Sequence, residues 1–173
     1  MNDFSLILAL RLVHIVSGVF WVGSIIFMAW FLTPAIRVAG AAGGTVIQQL
    51  VRAQRQPAYL IAGMLLTVIS GLLLYQHDSA SFAGWMHTGT AMTFGAGAVF
   101  AIIGAIIGVF FNTPIAKRLS ALGASIQAGG RPPTTEQAAS MAMLQVRLAR
   151  FSNTAAVLLI LATAAMAVAR YIP

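Results

Sequence analysis

The chain has 173 residues, of which 60% are hydrophobic and only 8% are charged, and its mean hydropathy is +0.90. A soluble domain carries about 25% charged residues, so this composition excludes an ordinary cytosolic enzyme, a disordered tail and a typical nucleic-acid-binding module. The net charge of +7 comes from ten basic and three acidic residues, and a basic protein of the lipid bilayer accounts for it.

Four apolar segments are long enough to cross a membrane. A hydrocarbon core of about 30 Å needs roughly 20 apolar residues in a helix, and the sequence provides them at residues 5–33, 57–76, 87–111 and 150–170. We therefore predict an all-α fold, an integral membrane four-helix bundle made by a single domain over residues 1–173. The N-terminal segment carries Asp3 where a signal peptide would be basic, so we expect it to be retained.

The basic residues predict the orientation of the bundle. Seven of the ten Lys and Arg residues lie in the two connections at residues 34–56 and 112–149, and Arg150 directly follows the second. By the positive-inside rule these connections are cytoplasmic loops, and both termini and the short connection at 76–86 face the outer, periplasmic side. The expected location is the bacterial inner membrane, with several passes.

The second cytoplasmic connection has structure of its own. Apolar residues recur at helical spacing over 114–127 beside Lys117 and Arg118, which predicts a short helix lying at the membrane interface. Thr134 followed by Gln137 is typical of a capping box, so the last helix is expected to begin well before the membrane. No internal repeat is evident.

Ionisable side chains inside a membrane segment are costly and indicate function. The first segment contains Arg11 and His14, three residues apart and therefore on one helical face, which Trp21 continues. His77 follows the second segment and His87 begins the third. All three histidines are thus predicted to lie toward the outer leaflet, where imidazoles could bind a haem iron, copper or zinc. The chain has no cysteine for that purpose.

Each of these residues also has a simpler interpretation. His77 has the pattern of a solvated loop histidine, and His87 that of an interfacial anchor at headgroup depth. Arg11 and Arg170 lie near helix ends, where a long basic side chain can extend to the headgroups. The alternative is that these arginines bind a carboxylate, such as a haem propionate.

The segment Leu12–Gly23, with the sequence LVHIVSGVFWVG, resembles the first helix of a group of small four-span bacterial membrane proteins. The group includes the copper resistance protein D family, the HemJ-type protoporphyrinogen oxidases and the membrane part of membrane-bound urate oxidases. Their pattern of His, Trp and Gly maps onto His14, Trp21 and Gly23. The resemblance implies that His14 is an axial ligand of b-type haem or part of a copper site.

The sequence departs from two members of that group. It has no Lys in any predicted span, unlike the HemJ-type enzymes, and it lacks the outer segments rich in Met and His that are expected of a dedicated copper importer.

The first functional hypothesis is a b-type cytochrome, acting as a membrane oxidoreductase or its electron-transfer subunit. His14 and His87 would be the axial ligands of haem b, Arg11 and Arg170 would bind the propionates, and Trp21 would pack along the porphyrin edge. Electrons would pass between quinone or a membrane redox partner and an acceptor on the outer side.

Two other hypotheses remain open. A copper-handling transporter or accessory protein would use His14, His77 and His87 as ligands. A structural subunit, as a homo-oligomer or within a larger membrane complex, would need none of the histidines.

Overall fold

The computed structural model of the protein describes residues 3–40, 43, 46–47, 49–50, 54–81 and 83–172. Arg52, one of the seven basic residues of the predicted cytoplasmic loops, lies outside the described residues. In the described part the structure is helical, without strands. Its α-helices are α1 (Asp3–Phe27), α2 (Thr33–Ala39), α3 (Gln56–Ser79), α4 (Gly89–Ile106), α5 (Thr113–Ala128) and α6 (Thr135–Val168).

The structure confirms the predicted membrane helix bundle. The described ranges contain four helices that are long and apolar enough to cross a bilayer, at Asp3–Ala39, Gln56–Ser79, Gly89–Ala128 and Thr135–Tyr171. Each predicted span overlaps one of them. The longest has 40 residues, which is about 60 Å at the helical rise and about twice the bilayer core. Three of the four helices therefore project well beyond a membrane.

The bundle is built from two antiparallel helix pairs. In the first pair, α1 packs along α3, and Gly63 lies so close to Trp21 that an added Cβ would be 3.6 Å from its side chain. In the second pair, α4 packs along α6, and an added Cβ at Gly104 would lie 3.2 Å from the side chain of Leu159. Small residues at the contacts let helices approach closely, as is common inside membranes.

Both pairs contain the same break in their first helix. A π-helical turn at Met28–Leu32 precedes Thr33 and Pro34, and another at Ile107–Asn112 precedes Thr113 and Pro114. The backbone N–H of each threonine donates to the carbonyl five residues earlier. Proline has no backbone N–H to donate to the preceding turn, and the wider π-turn accommodates this missing hydrogen bond. The two Thr-Pro pairs are 80 residues apart, and in each case the helix continues past the break.

The predicted loop at residues 112–149 is mostly helical. The expected helix over 114–127 is present as α5, but it continues from α4 through the second π-turn and packs along the start of α6. The predicted capping box is also present: Thr134 Oγ1 accepts from the backbone N–H of Gln137 at 3.2 Å, and the Gln137 side chain accepts from the Thr134 N–H at 3.0 Å. This box fixes the start of α6.

Candidate functional site

A cavity of about 600 Å³ lies between the two helix pairs, at the end of the bundle where both termini are found. Its volume is within the range of small-molecule and cofactor sites, about 300–1,000 Å³. The walls are mainly apolar and aromatic, but Arg11, His14 and Arg170 also line the space. Three residues singled out from the sequence therefore share one cavity.

The imidazole of His14 is held in a defined orientation by α3. Its Nδ1 lies 2.8 Å from the backbone carbonyl oxygen of Thr67 and 3.4 Å from the hydroxyl of Ser70. A carbonyl oxygen can only accept, so Nδ1 carries the proton and donates it to Thr67. In the neutral ring the lone pair is then on Nε2, for which the described residues provide no hydrogen-bond partner. Histidines that bind metals are commonly oriented by such a bond from the other ring nitrogen.

Gly71 makes the space for this imidazole. A Cβ at Gly71 would lie 2.7 Å from Cε1 of His14 and 3.0 Å from Nδ1, closer than real Cβ atoms approach. The absence of a side chain at this position therefore allows His14 to reach the carbonyl of Thr67 across the helix contact.

A second layer of hydroxyl groups fixes the segment of α3 that accepts from His14. The buried hydroxyls of Ser17 and Thr67 are 2.9 Å apart and join α1 to α3. The Thr67 hydroxyl lies 2.7 Å from the Gly63 carbonyl and donates to it, and the Ser17 hydroxyl lies 2.6 Å from the Val13 carbonyl. Because each hydroxyl has a partner, the polar atoms beside His14 are satisfied within the bundle.

The cations of the cavity are not neutralised by ion pairs within the described part of the chain. Arg11 is half-buried, Arg170 is exposed, and both line the cavity. The ion pair that is present among the described residues joins His77 to Asp78 at 3.4 Å. Since Asp78 is the cavity's acidic residue, two guanidinium groups face one carboxylate, and the site favours an anionic ligand.

The other candidates from the sequence lie elsewhere. His87 belongs to the short 3₁₀ turn Trp85–His87, where it is exposed, and does not line the cavity. His77 also lies outside the cavity, with its side chain 52% exposed. Trp21 is only 4% exposed and packs against Gly63 between α1 and α3 instead of lining the cavity. The structure thus does not bring the three histidines together.

Several cavity residues were not anticipated. Trp85 is buried and its ring meets that of Tyr75 edge to face, with centroids 5.1 Å apart. Asp78 lines the cavity as well. Helical spacing could have indicated these residues, because Gly71, Tyr75 and Asp78 are four and three residues apart and share one face of α3.

Met166 is another such residue. It lines the cavity and is four residues before Arg170, on the same face of the last helix. Phe94 and Gly95 line the wall contributed by α4. Histidine and carboxylate groups clustered closely enough to hold a bare metal ion, three or more together, are not found among the residues that the structure describes.

No family model, curated protein or solved structure matches the chain. The cavity itself therefore carries the functional argument. It offers one oriented imidazole nitrogen, one thioether, two cations and apolar walls. These groups suit a largely apolar ligand that has acidic substituents.

Proposed function

We propose that the protein is a b-type haem-binding membrane protein that carries out one-electron transfer or haem-linked redox chemistry near the outer leaflet. The observation that carries this proposal is the cavity in which His14 offers Nε2 together with the unpaired Arg11 and Arg170. His14 would bind the iron, and the two arginines would bind the propionates. The proposal leaves His87 without a role as an iron ligand, because it lies outside the cavity.

The residues around the cavity have defined tasks under this proposal. Haem iron, when bound, supplies a one-electron redox centre whose potential depends on its axial ligands, burial and nearby hydrogen bonds. The Thr67 carbonyl would orient His14 so that Nε2 is presented to the iron. The apolar walls from α3 and α4 would exclude water, and Arg11 and Arg170 would bind the acidic substituents.

A copper-handling role is the second candidate, and one observation favours it. The thioether of Met166 lines the same cavity as His14, and imidazole and thioether are ligands that suit copper. The two arginines and the volume of about 600 Å³ exceed what a single metal ion needs, so the haem proposal accounts for more of the site.

The test is the visible spectrum of the protein purified in mild detergent from haem-sufficient cells, oxidised and dithionite-reduced, with a pyridine haemochrome assay and copper analysis. We expect about one haem per chain in the wild type, and its loss in His14→Ala. The matched controls His77→Ala and His87→Ala should keep it. A colourless preparation, or equal haem content in all three variants, would refute the proposal. Copper that depends on His14 in a haem-free preparation would support the second candidate.

A further inference from the structure

We infer that Met166 is the second axial ligand of the bound haem, which makes the site a histidine–methionine centre; this inference rests on the proposed function. The remaining histidines lie outside the cavity, so the second coordination position must be open or be filled by another donor from the cavity wall. The other cavity side chains with an atom that can bind a metal, apart from the hydrogen-bonded Thr67, are Tyr75, Asp78 and Met166.

Tyr75 and Asp78 lie closer to the end of the bundle than His14. They follow Gly71, which contacts the imidazole, by four and seven residues. At the helical rise these separations are about 6 Å and about 10 Å along α3. The Asp78 carboxylate lies 3.4 Å from the His77 ring, and the Tyr75 ring packs against Trp85. Asp78 therefore belongs to the mouth of the cavity. The Tyr75 hydroxyl would lie 3.6 Å from a Cβ at Gly95, on the side of the cavity where Trp85 holds its ring, and the thioether of Met166 is the donor that haem iron commonly accepts beside a histidine.

Contacts between neighbouring helices connect His14 to Met166 around the cavity. His14 lies against Gly71 of α3, and one turn further along α3 the Tyr75 hydroxyl would lie 3.6 Å from a Cβ at Gly95 of α4. Two residues along α4, a Cβ at Gly97 would lie 3.2 Å from the Met166 methyl carbon. Met166 and His14 therefore line the same stretch of the cavity.

Met166 also lies on the opposite wall from His14. His14 is bonded to α3 within the first helix pair, whereas Met166 packs against Gly97 within the second pair. The cavity separates the two pairs. A planar group placed between them meets an imidazole nitrogen from one side and a thioether from the other. The unbranched methionine side chain has the flexibility to adjust its sulfur to the iron.

This ligand pair has a functional consequence. Methionine together with histidine raises the reduction potential of haem, as in the cytochromes c. A six-coordinate iron with both positions filled by the protein serves electron transfer, and it has no free position for a small molecule.

The experiment compares Met166→Leu with the wild type in the full-length, haem-loaded protein. Leucine has a similar volume and shape, but no sulfur. We expect the wild type to be low-spin with a thioether-to-iron charge-transfer band. Met166→Leu should keep its haem through His14, become high-spin, lose that band and have a lower midpoint potential. The matched control is Met92→Leu, because Met92 is 61% exposed on α4 and outside the cavity; it should match the wild type.

Each other outcome is informative. A wild type that is already high-spin, or a Met166→Leu variant with the spin state and potential of the wild type, would overturn the inference while leaving the haem proposal intact. A preparation without haem would overturn both. If Met166→Leu does not fold, Met166→His provides the test: it should remain low-spin, lose the thioether band and shift to a lower potential. Retention of the band would refute the ligand assignment.

Discussion

Replacing Gly71 with alanine would place a methyl group against the imidazole of His14. The new Cβ would lie 2.7 Å from Cε1, and an ordinary contact needs at least 3.4 Å, so the ring must move by about 0.7 Å. The same movement would lengthen the 2.8 Å bond between Nδ1 and the Thr67 carbonyl to about 3.5 Å, where little of a hydrogen bond remains.

The substitution should change haem affinity more than folding stability. Loss of an orienting partner of a metal-binding histidine lowers affinity by about 10–100-fold, and we expect this loss for haem in Gly71→Ala. The folded protein should change less, because overpacking costs about 1–3 kcal/mol while alanine gains up to about 1 kcal/mol in helix propensity over glycine. The variant should therefore bind haem poorly and still fold.

The assay is haem titration of the apoprotein in detergent, followed by the visible spectrum, with thermal unfolding monitored by circular dichroism. Gly95→Ala is the matched control: Gly95 also lines the cavity, but a Cβ there would lie 3.6 Å from the Tyr75 hydroxyl, an ordinary contact. Wild-type haem affinity in Gly71→Ala, or an equal loss in both variants, would refute the role of Gly71 in positioning His14.

Two further predictions concern the charges of the site and the orientation of the bundle. Arg11→Gln should weaken haem binding by about tenfold or more, since a hydrogen bond to a charged group contributes about 1.5–3 kcal/mol. Arg147→Gln, at an exposed position of α6 outside the cavity, should bind haem as the wild type does, and equal titration curves for both variants would exclude a propionate contact at Arg11. Because the chain has no cysteine, a single introduced cysteine can report which side of the membrane a residue faces. Ser81→Cys should react with a membrane-impermeant thiol reagent in intact spheroplasts, and Ser125→Cys should react only after lysis. The reverse pattern would show that the predicted topology is inverted.

Hydropathy and local sequence predicted much of this fold because both depend on neighbouring residues. The four membrane helices follow from their apolar composition, and the start of α6 follows from the spacing of Thr134 and Gln137. The long continuous helix from α4 into α5 was not predicted, because Pro114 indicated a break and only the π-turn shows how the helix continues through it.

The sequence placed Arg11, His14 and Arg170 in one site because helical spacing and membrane depth can be computed from residue numbers. It could not place Trp21, which shares the face of His14 on α1. At the level of Trp21 that face is closed by α3 through Gly63, whereas at the level of His14 it borders the cavity. This distinction depends on how the two helix pairs pack against each other at each level of the bundle, which is a tertiary property.

The turn before α4 was unpredictable for a related reason. Trp85 and His87 are two residues apart, and the sequence does not determine which of them turns inward. In the structure the backbone at Gly84 has a φ of +97°, a conformation that glycine adopts readily. The turn that follows buries Trp85 and exposes His87.

Each π-turn changes the rotation of its helix about the helix axis between the membrane part and the projecting part. A π-turn contains one residue more than an α-helical turn, and each residue turns a helix by about 100°. The face that α5 presents to α6 is therefore set independently of the face that α4 presents to the cavity. Substitutions in the projecting helices can therefore change their contacts without rotating the cavity walls. The π-turn at Ile107–Asn112 accommodates the difference in rotation between α4 and α5.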